Sequence, residues 1–136
     1  MLKKTGSLLS FVLLISISTA LGQSTSKNTL PDGRKLYLQI CLGCHQEDGG
    51  GVPGMNPPLS QTSYVLGDKT ELIKIILKGL SGKVKIEGKY YSNIMASQAY
   101  LKDDQIAAIL TYVRSNFGNK ASEVKASEVK NTREHL

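Results

Sequence analysis

An all-α fold built on three main helices is what this 136-residue sequence predicts, and three observations carry the prediction. Ile106, Ile109, Leu110, Val113 and Phe117 fall at i, i+3, i+4, i+7 and i+11, one apolar stripe at helical spacing. Two shorter stretches share that period: Leu36, Tyr37 and Ile40, then Leu72, Ile73, Ile75, Ile76 and Leu77. The third observation is Cys41-Leu42-Gly43-Cys44-His45, which takes both cysteines of the chain and one of its two histidines.

That pentapeptide reads C-x-x-C-H, the attachment signature of a c-type haem. Two thiols three positions apart can reach the two vinyl groups of one porphyrin and form thioethers. An imidazole directly after them sets a nitrogen ligand under the anchored ring. A bare C-x-x-C also occurs in thioredoxin-like redox pairs, zinc sites and structural disulfides. Zinc lacks partners here, because there is no second cysteine pair and His135 stands beside the C-terminus. A redox dithiol belongs in a βαβ setting, which the flanking sequence does not resemble. The motif therefore predicts one haem c per chain, attached through Cys41 and Cys44, with His45 as an iron ligand. Aromatic content is only 6% with no Trp, so the polypeptide alone has a thin core that a porphyrin would thicken.

The elements follow in chain order. Met1-Leu2-Lys3-Lys4 is a basic start, Leu8 to Ala20 is apolar, and Ala20-Leu21-Gly22 offers small residues to a signal peptidase. Residues 1–22 are expected to be a signal peptide cleaved before Gln23. The run is too short and too rich in Ser for a span of about twenty apolar residues, so no stable membrane span is expected after cleavage. Removal of Lys3 and Lys4, with no acid, takes the net charge from +6 to +4. Export suits the motif, since haem is fixed to such sites outside the cytoplasm, and a periplasmic location is expected. Residues 23–29 are a polar, flexible lead.

Asp32, in Leu30-Pro31-Asp32-Gly33, is placed to cap a first helix that ends at Cys41. Residues 46–63 hold three consecutive glycines and three prolines within six positions, which forbids a regular helix or a central strand. Long ordered loops usually have a function, and this one is placed to wrap one side of the porphyrin. A second helix is predicted over Lys69 to Lys78, opened by Thr70-Glu71 and closed by Gly79 and Gly82. From Lys83 to Tyr91 apolar and charged residues alternate, with Gly88 near the bend, a hairpin signal read as a small excursion and not as a sheet. The last helix has Asp103 and Asp104 in its first turn, where they suit the dipole, and Gly118-Asn119 as its stop. Beyond it Lys-Ala-Ser-Glu-Val occurs at 120–124 and again at 125–129. With so little apolar surface, residues 120–136 are expected to be a charged, solvated tail.

Residues 30–119 resemble a class I c-type cytochrome, in particular the small single-haem domains that accompany periplasmic dehydrogenases and oxidases. Gly33 and Tyr37 before Cys41 resemble that family's first helix, and Ile106 to Arg114, with Tyr112 at the crossing, resembles its terminal helix. Pro57-Pro58-Leu59 is similar to its Pro-x-Leu element. The resemblance implies a class I cytochrome c fold in which the Pro57 carbonyl accepts a hydrogen bond from His45 and Leu59 packs on the ring. Tyr91-Ser92-Asn93-Ile94-Met95 resembles the axial segment, which makes Met95 the sixth ligand. Two departures stand out: Ala96 where the family often has Pro, and Lys102 where it has Ser or Thr. Met55 is the other candidate, but it lies two residues before Pro57, on the side His45 must share, whereas Met95 follows His45 by 50 residues.

The expected function is one-electron transfer by a His/Met-ligated covalent haem, with no catalytic residues, because no second histidine of the domain can act as a base. The alternative is a haem-based binder of a gas or peroxide with an open distal site. Partners are expected to be redox proteins, a dehydrogenase or an oxidase, and not nucleic acid. Lys74, Lys78, Lys83, Lys85 and Lys89 give the middle of the chain a basic bias that would steer an acidic docking surface.

Overall fold

The computed structural model describes residues 31–136. The expected signal peptide over 1–22 and the lead over 23–29 lie outside the described residues. Among the described residues no helix is long and apolar enough to cross a membrane.

Asp32 caps the first helix as its sequence suggests: its Oδ1 accepts from the Lys35 backbone N–H at 3.1 Å, and α1 runs over Gly33–Ile40. The chain breaks stride at Cys41 and makes one more turn, α2 (Leu42–His45). A short α3 (Ser63–Leu66), capped by Thr62, follows the Gly/Pro-rich loop. Next comes α4 (Lys69–Lys78), over the range its periodicity predicts. Its cap is Asp68, whose side chain accepts from Glu71 N at 2.9 Å, so the helix opens one residue before the expected Thr70-Glu71.

The alternating stretch departs from its expectation. It forms a two-stranded antiparallel sheet, β1 (Val84–Ile86) paired with β2 (Lys89–Tyr91) around Glu87-Gly88. Ile86 and Tyr91 turn inward, and both are buried. A pair of strands is marginal alone, so these inward side chains are what fastens the hairpin to the helices.

The terminal helix, α5, covers Asp103–Ser115. Lys102 cannot cap it with its side chain. Gln105 Oε1 instead accepts from the Lys102 backbone N–H at 3.0 Å, which compensates for the missing Ser or Thr. Phe117 falls outside the helix, in a left-handed conformation (φ 56°), and folds back on α1. Its ring, with Tyr37 and Tyr112, makes a cluster with centroids 5.2–5.6 Å apart, a favourable spacing for tilted aromatic pairs. There α1 and α5 cross so closely that a Cβ on Gly33 would strike the Ala108 carbonyl.

The tail, expected to be free in solvent, is docked on the helices although most of its residues remain exposed. After an extended stretch the chain forms α6 (Ala126–Glu134), packed against α4 and α5. Val124, Val129 and Thr132 are buried, and Arg133 reaches Asp103 at 2.9 Å and the carbonyls of Ala99 and Leu101. Full burial of one Val is worth about 1.5–3 kcal/mol, so three inward residues and two ion pairs, Arg133 with Asp103 and Glu128 with Lys69 at 3.0 Å, hold a segment whose composition alone reads as disordered. Arg114, itself buried, ties this tail to the rest: it donates to the carbonyls of Val65, Gly67 and Ser122.

Candidate cofactor site

His45 ends α2 and is buried. Its Nδ1 lies 3.0 Å from the Pro57 carbonyl oxygen. A carbonyl can only accept, so Nδ1 carries the proton, and in the neutral ring Nε2 keeps its lone pair. Burial lowers the imidazole's pKa, a shift that the Pro57 hydrogen bond partly opposes. The net result favours the neutral, ligating form near pH 7.

The loop that brings Pro57 to this position is held by its own backbone. Gly51 N donates to His45 O at 3.1 Å, Val52 and Asn56 exchange both backbone bonds, and Leu59 N donates to Gly49 O at 2.7 Å. Gly51 is in the left-handed region (φ 66°), and a Cβ there would strike the carbonyls of Asn56 and Pro57. Glycine is therefore required for the loop to fold back on His45.

Two adjoining cavities, about 70 and 300 Å³, open beside His45. Both are lined by Cys41, His45, Pro57, Ile76, Leu80, Met95 and Ile109. Leu59 and Pro58 line the smaller one, and Cys44, Asn56 and Asn93 the larger. All six residues singled out in the sequence thus border one cleft. Met55 does not: it is 48% exposed and lines neither cavity.

The donors present suit a haem: two thiols, one buried neutral imidazole and one thioether, set among apolar walls. They suit a redox dithiol poorly. Burial, with the neighbouring Cys44 adding to it, pushes the Cys41 thiol up to about 11, whereas reactive C-x-x-C pairs have depressed values.

Several wall residues escape a reading of motifs. Ile86 reaches the cleft from the hairpin, and Leu80 pairs with Met95 through both backbone bonds at 2.9 Å. The alternating pattern of 84–91 signalled Ile86, whereas nothing local signalled Leu80, Asn56 or Asn93.

The family model described as Cytochrome c matches residues 30–117. The chain is 41% identical over 112 residues to Cytochrome c-552 of Thermus thermophilus, an alignment covering 75% of this chain and 84% of that one. It is 31% identical over 122 residues to the cytochrome c subunit of Alcohol dehydrogenase (quinone) from Gluconacetobacter polyoxogenes, covering 86% of this chain and 25% of that one. With the Fructose dehydrogenase cytochrome subunit of Gluconobacter japonicus it shares 36% identity over 107 residues, covering 75% and 22%.

Proposed function

The chain belongs to the cytochrome c family, as a class I c-type cytochrome and an electron carrier, not a catalyst, and from that premise we propose that it passes single electrons between exported redox proteins through a haem c held by Cys41, Cys44, His45 and Met95. The observation that carries the assignment is the 3.0 Å contact from His45 Nδ1 to Pro57 O, which leaves Nε2 as the imidazole's ligating atom beside a cleft that also contains Met95.

Bound haem would supply an iron that alternates between ferrous and ferric states. Cys41 and Cys44 would hold the porphyrin as thioethers. Pro57 fixes the imidazole's tautomer and rotation, the usual work of a residue behind a metal-binding histidine. Leu59, Ile76, Leu80 and Ile109 keep water from the ligand atoms and so favour the less charged, reduced state. Met95 is pinned by Leu80, so its thioether need not move when the charge changes.

The partner class rests on kinship and charge. Relatives that are subunits of dehydrogenases suggest a dehydrogenase as electron donor, with an oxidase as the natural acceptor class. Lys83 and Lys85 stand over the Tyr90 ring on the hairpin, with Lys89 on the same element, whereas Lys74 is engaged by Glu71 at 2.7 Å. An acidic partner would meet the hairpin lysines first. Export rests on the basic and apolar start of the sequence.

Absorption spectroscopy of two variants tests the ligand set. Met95→Ala is expected to abolish the weak red-edge sulfur–iron charge-transfer band of the oxidised protein. It should also lower a potential that axial ligands set over about 0.8 V and open the iron to added ligands. Met55→Ala should change none of these. The reverse result would assign the sixth ligand to Met55, and a wild type with no such band would favour the open-site binder of gases or peroxide.

A further inference from the structure

We propose that Asn93, paired with Asn56, is a positioning residue for Met95, latching the Met95 segment to the loop that carries Pro57; this rests on the reading of Met95 as an iron ligand. Residues 92–98 form no helix and no long strand, and Ala96 follows Met95 where a proline would have stiffened the backbone. Fixing a ligand there depends on what the segment is tied to.

It is tied along two edges. On one, Met95 and Leu80 exchange backbone bonds at 2.9 Å, Gln98 N donates to Ile76 O at 2.9 Å, and Ser97 Oγ donates to Leu77 O. These bonds anchor the segment to the end of α4. On the other edge, Ser92 N and Oγ both donate to Gly54 O at 3.2 Å, Asn93 N donates to Met55 O at 3.1 Å, and Asn93 Nδ2 donates to Asn56 Oδ1 at 3.1 Å. These bonds join it to the loop on the His45 side. Asn56 is itself locked to Val52 by two backbone bonds at 2.8 and 2.9 Å, and its neighbour Pro57 holds His45. A short path of peptide bonds and two hydrogen-bonded junctions thus runs from the imidazole to the thioether: His45, Pro57, Asn56, Asn93, Met95.

Half of the second edge consists of backbone donors that almost any residue supplies, and Ser92 Oγ only doubles the bond that Ser92 N makes to Gly54 O. The amide pair is different, because it needs a donor on one of the two side chains and an acceptor on the other, and both side chains line the larger cavity. Losing it leaves that edge to the bonds of Ser92 and the Asn93 backbone, loosens the segment about its α4 edge and makes the iron more accessible to competitors.

The chemistry of the pair predicts which substitutions keep it. Asn56→Asp keeps an acceptor opposite Asn93, and in Asn93→Asp the Asn56 amide can turn over and donate its Nδ2 to the new carboxylate, so only alanine at either position removes the bond.

The experiment measures imidazole binding to the oxidised haem-loaded protein, together with the sulfur–iron band and the reduction potential. Asn93→Ala and Asn56→Ala should each bind imidazole about three- to tenfold more tightly, as expected for one lost hydrogen bond. Asn56→Asp and Asn93→Asp, which keep a donor–acceptor pair, should stay near wild type. Val129→Ala, in α6 and lining neither cavity, should lower stability without changing imidazole affinity, which separates positioning from general loosening. Wild-type imidazole affinity and potential in both alanine variants would overturn the proposal, as would aspartate variants that behave like the alanines. Met95→Ala is the control for the underlying reading. If it binds imidazole no more tightly than wild type, Met95 is not the ligand and the latch falls with it. If it binds far more tightly while the alanine variants at 93 and 56 do not, the latch alone is wrong.

Discussion

The loop from Gln46 to Leu59 and the tail from Lys120 to Glu134 both lack a clear apolar period, yet they are ordered by opposite means. The loop is pinned from within, by backbone bonds and by Pro57 on His45, and its last residues, Asn56 to Leu59, border the cleft. The tail has hardly any bonds of its own beyond one helix. It is pinned from outside, by Val124 and Val129 sunk into the core and by Glu128 and Arg133 reaching α4 and α5. The first region is thus ordered around the cleft proposed to take the haem, and the second depends only on a finished protein surface.

The largest expected effect comes from breaking the first region. Replacing Cys41 and Cys44 together by Ala should leave a chain without covalent haem and without a cooperative unfolding transition. Haem staining after denaturing electrophoresis reads the first, and thermal melting the second. A stained band from this variant would end the thioether assignment.

Arg114 sharpens the contrast because it joins the two regions. It donates to Val65, which borders the cleft, and to Ser122 in the tail. Arg114→Met strands the buried Val65 carbonyl and frees the part-buried one of Ser122, and should cost about 2–4 kcal/mol. Val129→Asp should cost less, about 1–3 kcal/mol, by detaching α6 alone. Denaturant melts give both values. The absorption spectrum at low denaturant should be unchanged in Val129→Asp, and a spectral change there would mean the regions are not separable.

The smallest effect is a pH dependence confined to the tail. Glu128 accepts from Lys125 N at 2.7 Å and pairs with Lys69 at 3.0 Å, and its carboxyl is held below the usual carboxylate range, chiefly by the Lys125 N–H. A group with a depressed folded value stabilises above its unfolded pKa, about 4.3, and loses that contribution as pH falls through the folded value. Hydrogen-exchange protection in α6 should therefore drop below about pH 4 while α1 and α5 keep theirs. Glu128→Gln should show weaker protection of α6 with no such drop.

Much of the site was legible because its chemistry requires particular residues at short range. Cys41, Cys44 and His45 declare themselves by spacing, and α1, α4 and α5 by period and caps, since a helix is local and its apolar stripe records the core it faces. What Asn93 and Leu80 do could not be read that way. Each acts through a partner 37 or 15 residues distant, and neither has a residue type that announces it.

The repeated Lys-Ala-Ser-Glu-Val marks the boundary most plainly. Its residues alone determine that each copy offers one apolar side chain among polar ones, and no more. The surface beneath decides the conformation. At 120–124 the chain is extended, with Val124 N bonded to Thr111 Oγ1 and Val124 buried. At 125–129 the same five residues start a helix, with Glu128 bonded to Lys69 and Val129 buried. A pentapeptide gains too little from its own hydrogen bonds to choose a backbone; the choice goes to whichever form sinks its valine and satisfies its charges on the helices already in place.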